Sequence, residues 1–329
     1  MMRVIKMKFS VGYQLFDDNE FINKIIEYKN DIHEVYFSFG SFANGRNSFV
    51  DSNAISRQMY DLTRLHKEGI SLNLLFNATC YGEESLSRDF FNHIGNTVDY
   101  IGGQAGVETV TTTSPIIARF IKDNFEDINV RASVNMCIGT TEGIDYVADC
   151  FDSFYLKREL NRDFAAIAHL KKHCDSLGKT LYILANSGCL NNCSAHTFHD
   201  NLVSHERQIA KKDNGYVFEG ICKKFLSKSD NLARFLELTG FIRPEDTMYY
   251  EGLVPAMKLA TRVHTNPVLV LNAYIKNKSF AGSTFSLLEP DHTAAVYPGF
   301  IKNDLIQCTK TNDRLIYKTG ESIKEDVYA

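Results

Sequence analysis

The stretch ANSGCLNNCSAHTFHDN, residues 185–201, sets Cys189 and Cys193 four positions apart and follows them with His196 and His199. Thiolates are soft ligands that suit an iron–sulfur cluster or zinc, and a C-x3-C spacing spans one turn, so two sulfurs can converge on one centre. A closed centre needs more ligands. Cys222, in FEGICKKF, belongs to the same long stretch and is the third candidate. Cys80 and Cys137 each follow another apolar segment; Cys80 is taken as the fourth ligand. His196 and His199 are alternative ligands, or proton donors with an unperturbed pKa of about 6.5. The same residues allow a different chemistry, in which an imidazole activates the thiol of Cys189 or Cys193 as a nucleophile. That needs only one cysteine, and no third group is close in sequence. The plain alternative is a capped loop, with Asp200 and Asn201 opening a helix through LVSHERQIAKK.

Positioning these residues requires a frame, and the chain supplies a regular one. Short β-rich runs fall at 9–15, 34–40, 71–78, 107–114, 129–136, 153–157, 180–186 and 256–261. Amphipathic stretches separate them, among them 18–30, 52–69 and 161–178; the last carries Phe164, Ile167, Leu170 and Leu177 at helical spacing before Gly178. Eight strand–helix units predict a single (β/α)8 TIM-type barrel of the α/β class, with a doubly wound sheet as the competing arrangement. IGGQAG, 101–106, precedes a strand instead of joining strand to helix, so it reads as a loop and not a phosphate fingerprint. A long excursion separates strands seven and eight. The barrel is assigned to residues 1–275 and a short C-terminal extension to 276–329.

In such a barrel, chemistry sits at the C-terminal ends of the strands. Tyr13, Gln14, Ser38, Asn77, Thr112, Thr113, Asn135, Lys157, Arg158, Asn186, Lys258 and Arg262 are the polar residues there. Arg158, Lys258 and Arg262 are the expected contacts for substrate carboxylates or phosphates, since Arg offers a bidentate fork and Lys a point charge.

Composition narrows the setting. Apolar residues make up 44%, charged residues 23%, and the net charge is −4, which gives no bulk attraction to nucleic acid. No apolar run approaches the roughly 20 residues of a membrane span, and the N-terminus reads as a first strand, so no membrane association and a cytoplasmic setting are expected. The eight cysteines are then expected to be reduced.

FIRPEDTMYYEGLVPAMKLATRVHTNPVLVLNAYIKN, residues 241–277, resembles the signature tail of the collagenase-like peptidases, peptidase family U32. Arg243, Glu245 and Asp246 match its R-P-E-D segment. Met257, Lys258 and Leu259 match its strand and Arg262 the arginine that ends it, while Ala260 and Thr261 stand where the family has Glu-Gly. The resemblance implies a barrel and two activities. One is peptidase action, although the chain has no recognisable Ser-His-Asp set and HDNLVSHE is not the H-E-x-x-H zinc motif. The other is oxygen-independent hydroxylation of ubiquinone precursors, tRNA or rRNA, with prephenate as oxygen donor and a four-cysteine 4Fe-4S cluster; Cys189, Cys193 and Cys222 fall where such members place ligands. The expected substrate is a small molecule or an RNA-borne group. Pairing with a related barrel, as homo- or hetero-oligomer, is a further expectation.

Overall fold

The computed structural model describes residues 6–44, 52–292 and 301–319. The N-terminal end of the first-strand reading, part of the extension and the final ten residues lie outside them.

Eight parallel strands close into a barrel in sequence order. They are β1 (Lys8–Gly12), β2 (Ile32–Phe37), β3 (Ser71–Phe76), β4 (Thr109–Thr112), β5 (Asn129–Ala132), β6 (Ser153–Tyr155), β7 (Thr180–Leu184) and β8 (Ala256–Leu259), and β8 pairs with β1. Each lies within or close to a predicted run and is shorter than it, because the residues past each strand turn away to form the loops at the barrel mouth. Between the strands run α1 (Glu20–Glu27), α2 (Ser52–Lys67), α3 (Arg88–Ala105), α4 (Pro115–Asn124), α5 (Thr141–Asp145) and α6 (Phe164–Ser176). The excursion after β7 opens with α7 (His196–Ser204). After β8, a hairpin pairs β9 (Gln307–Lys310) with β10 (Leu315–Lys318).

Side-chain chemistry sets the helix starts. Ser87, Ser114, Thr140 and Asp163 each accept a hydrogen bond from a backbone N–H of the first turn, satisfying a donor that the helix itself leaves unpaired. Asp163 explains why α6 begins at Phe164 and not at residue 161. The IGGQAG segment departs from expectation. Gly102 and Gly103 are inside α3, and only Gly106, at φ 77°, breaks it. Packing of Ile101 and Ala105 against the barrel outweighs the weak helix propensity of the two glycines.

Alternation along the strands divides inside from outside. Phe9, Val35, Leu74, Val110, Val130, Phe154, Ile183 and Met257 face the helices and form the main core. The lumen is polar where such barrels are commonly filled by branched aliphatics. Asn73 Nδ2 donates to Glu34 Oε1 at 2.9 Å, and Thr111 Oγ1 donates to Asn73 Oδ1 at 2.9 Å. Arg131 pairs with the Glu34 carboxylate and donates through Nε to Ser153 Oγ at 3.1 Å. Its guanidinium stacks 4.0 Å from the Tyr182 ring centre. Burial opposes the charge on Glu34, yet Arg131, His33 and the hydrogen bonds together hold its carboxyl below the usual range.

The C-terminal segment is built into the barrel. Arg243 and Asp246 form a buried ion pair at 2.7 Å, and Tyr317 of β10 donates to Asp246 at 2.7 Å. Glu245 accepts from Asn303 Nδ2 at 2.8 Å and from Phe280 N–H at 2.9 Å. The R-P-E-D segment therefore clamps the chain that follows β8.

The lumen pair yields a stability test. Arg131→Met leaves a buried, unpaired Glu34 and is expected to cost about 3–5 kcal/mol, read from urea unfolding. Adding Glu34→Gln recovers part of that loss, since the double variant no longer buries a lone charge. The folded carboxyl is depressed, so its contribution is whole above the unfolded value of about 4.3 and is lost as pH falls through the lower folded value. The gap between wild type and Arg131→Met should therefore narrow in acid.

Candidate active site

Above the polar lumen, the barrel mouth opens into a pocket. Arg158, Lys258 and Arg262, the three cations expected to meet substrate, line it together. Asn77 and Asn135 from the strand ends join them, as do Tyr36, Cys189 and Glu289. Other strand-end polar residues brace the frame. Tyr13 donates to Asp61 at 3.0 Å, and Thr113 donates to the Ala78 carbonyl.

Lys258 forms the pocket floor. Its residue is 7% exposed, and its ammonium lies 4.0 Å from the Tyr36 ring centre and 5.1 Å from that of Tyr155. Among the described residues it makes no ion pair, because the lumen carboxylate is already engaged by Arg131. Burial pushes its pKa down to about 7; Arg262, Arg131 and Arg158 act in the same direction and Glu34 against it. Tyr36 is fixed by donating to the Leu259 carbonyl at 2.8 Å. Gly12 permits this arrangement, since a Cβ there would fall 2.8 Å from the Tyr36 ring and 2.9 Å from the Arg262 nitrogen.

Arg158, just past β6, is held from two sides. It donates to Asn135 Oδ1 at 3.0 Å, and its other terminal nitrogen lies 2.9 Å from His196 Nε2. His196 Nε2 is also 3.1 Å from Asp200 Oδ2, one turn along α7, and Nδ1 faces the Cys137 thiol at 3.7 Å. A guanidinium can only donate, so Arg158 favours the tautomer with Nε2 bare, whereas Asp200 favours the one with Nε2 protonated. Burial and Arg158 lower the His196 pKa against Asp200. The surroundings of Cys137 push its thiol up, desolvation first.

The cysteine loop is anchored along its length. Asn186, fully buried, accepts from Ala260 N–H at 2.6 Å and donates to the Leu287 carbonyl at 2.8 Å. Gly188 passes so close to the C-terminal segment that a Cβ would sit 2.0 Å from the Pro290 oxygen. His292 Nε2 is 2.7 Å from the Gly188 carbonyl. Asn192, at φ 55°, donates its N–H to Glu159 at 3.1 Å. α7 then starts at His196 and not at Asp200 or Asn201, so both histidines are helical.

This folding sorts the predicted residues. The thiols of Cys189 and Cys193 are near enough to Cys222 to oppose its ionisation; burial raises its pKa first. Cys80 is elsewhere. It pairs with His205 beyond the far end of α7, where Thr79 Oγ1 donates to Asn201 Oδ1 at 2.7 Å. His199 is exposed and lies beside Phe218, with ring centres 5.4 Å apart. His196 reaches the pocket through Arg158; its ring faces Cys137, while its backbone N–H donates to the Cys193 carbonyl at 3.0 Å. All eight cysteines are free thiols. Among the described residues, no three His, Cys, Asp or Glu side chains already stand as a metal-binding group. No helix among the described residues is long and apolar enough to cross a membrane.

Tyr36 and Glu289, both in the pocket lining, escaped the sequence reading. Tyr36 lies inside a strand, where its phenol looks like ordinary packing. Glu289 belongs to the assigned extension, and its pairing with the Asn186–Gly188 backbone brings it to the mouth.

No family model matches the chain. It is 26% identical over 279 residues to an uncharacterized protease, MJ1657, of Methanocaldococcus jannaschii, covering 82% of this chain and 78% of that one. In fold it is similar to the U32 peptidase Mk0906, with a TM-score of 0.56 at 14% identity over 78% of this chain and 94% of the other. The closed eight-stranded barrel is thus a fold this chain has in common with that U32 peptidase.

Proposed function

We propose that this chain is a U32-type barrel enzyme that binds a small or RNA-borne anionic substrate at the barrel mouth and performs oxygen-independent redox chemistry of the hydroxylation class. The observation that carries the reading is the double membership of Cys189. It lines the cationic pocket, and its thiol, like that of Cys193, is near enough to Cys222 to oppose that residue's ionisation. A thiol group at the rim of a substrate pocket is where a 4Fe-4S cluster would have to sit to meet that substrate. Three soft donors on a loop and on the short helix Ile221–Leu226 fit such a cluster in chemical type. Zinc is the alternative occupant of the same thiols. Cys80 would have to leave its partner His205 to serve as the fourth ligand. The cluster would supply one-electron chemistry. Arg158, Lys258 and Arg262 would hold the substrate's carboxylate or phosphate, and Asn77 and Asn135 would orient it.

A second reading has its own observation. Cys137, His196 and Asp200 lie in a row, with a thiol at Nδ1 and a carboxylate at Nε2 of one imidazole. With Nε2 protonated toward Asp200, the Nδ1 lone pair faces the thiol, an arrangement for nucleophilic hydrolysis in keeping with the peptidase names of the similar proteins.

Two measurements separate these readings. Protein purified without oxygen should contain about four iron and four sulfide per chain, with broad visible absorption. Cys189→Ala should lose most of both, whereas Cys308→Ala keeps them; a metal-free wild type that gains no iron on reconstitution sinks the cluster. On the hydrolase reading, digestion of casein or gelatin survives Cys189→Ala but falls by about 100-fold or more in Cys137→Ala and His196→Ala. Digestion indifferent to Cys137 would remove that reading.

A further inference from the structure

Lys258 has features that binding an anion does not require. A lysine serving only as a point charge works best as an ammonium facing solvent or a carboxylate. This one is instead at the closed end of the pocket, between the rings of Tyr36 and Tyr155. The charged groups around it are Arg158, Arg262 and Glu289 at the mouth and the Glu34–Arg131 pair in the lumen, three guanidiniums against two carboxylates. Guanidiniums outnumber carboxylates and the site is desolvated, so a further cation in that space is disfavoured and a share of the amine carries a lone pair near neutral pH. Desolvation beside another cation is the usual way a lysine becomes a nucleophile. This lysine lines the open pocket at the barrel mouth together with the two arginines that would hold an anionic group, Arg158 and Arg262.

We propose that Lys258 is a covalent catalytic residue that forms an imine with an anionic carbonyl compound, a 2-oxo acid or a phosphorylated aldehyde, bound at the barrel mouth. The Nζ lone pair attacks the carbonyl carbon, and a C–N bond forms. The carbonyl oxygen leaves as water, taking up the two protons the amine gives up, directly or through solvent. The product is a neutral imine, or an iminium if it keeps one further proton, and no oxidant or reductant is consumed. Arg158 and Arg262 hold the carboxylate or phosphate, while Tyr36 and Tyr155 exclude water from the imine's apolar side. The inference rests on the anion pocket proposed above, not on the cluster.

The test is reductive trapping on the full-length protein. Pyruvate, 2-oxoglutarate and glycolaldehyde phosphate are each incubated with sodium cyanoborohydride, which delivers hydride to an imine carbon and fixes it as a secondary amine. Peptide mass mapping should place the adduct on Lys258, saturably, and at least 10-fold faster than on any exposed lysine. The carboxylate and phosphate probes show which anion is preferred. Arg262→Gln should weaken the apparent affinity while the adduct stays on Lys258. Lys258→Met should abolish the adduct, and unchanged circular dichroism and melting would show that it still folds. Inorganic phosphate and malonate, which carry no carbonyl, serve as binding controls by thermal shift and by protection of wild-type Lys258 from trapping. Binding of these anions without a Lys258 adduct from any carbonyl probe overturns the imine and leaves the anion pocket standing. Absence of both anion binding and adduct overturns the two together, as does labelling of Lys258 no faster than that of surface lysines.

Discussion

Glu34 and Arg131 meet inside the barrel, and the character of the mouth follows from how that one ion pair is satisfied. A carboxylate and a guanidinium away from water are tolerated only when each remaining donor and acceptor has a partner. Asn73, Thr111, Ser153 and the Tyr182 ring provide them. These residues come from β3, β4, β6 and β7, and the pair itself joins β2 to β5, so it ties most of the barrel's circumference to one centre. It also uses up the lumen's carboxylate. Lys258, above it on β8, is left with aromatic rings below and guanidiniums beside it. The positive pocket is thus a consequence of the way the interior neutralises its own charge.

The rim is organised by the chain that follows β8. Asn186 binds the end of β7 to Ala260 and Leu287 at once, and the backbone from Leu288 to His292 runs against Gly188. The R-P-E-D segment anchors the far side of this layer through Arg243, Glu245 and Asp246. Cys189 consequently sits on a braced loop, although its surroundings of Gly, Ser and Asn suggest a loose one. Rigid support suits a residue that must keep its place relative to bound substrate.

α7 separates the thiols into distinct neighbourhoods. It spans about 12 Å from His196 to Ser204 at 1.5 Å per residue. Cys193 precedes its start, near Cys189 and Cys222, while Cys80 pairs with His205 past its end. His196, on its first turn, joins Cys137 to Arg158 and so connects the thiol–imidazole row to the pocket wall. The two proposed chemistries share this wall without sharing a cysteine.

Local physics made the barrel legible. Alternating β-rich runs, capping side chains and Gly178 act within a few residues, so the sequence by itself determined eight strand–helix units and placed Arg158, Lys258 and Arg262 at strand ends. The IGGQAG helix was hidden because burial of Ile101 and Ala105 against the barrel, not propensity, decides it. The site depended on distances that no spacing encodes. Glu34 and Arg131 are 97 positions apart, Cys137 and His196 are 59 apart, and Ser187 and Glu289 meet only once the barrel closes. Which thiol meets which, and which lysine is left without a carboxylate, were therefore settled by tertiary packing, since burial and electrostatic pairing belong to neighbours in space.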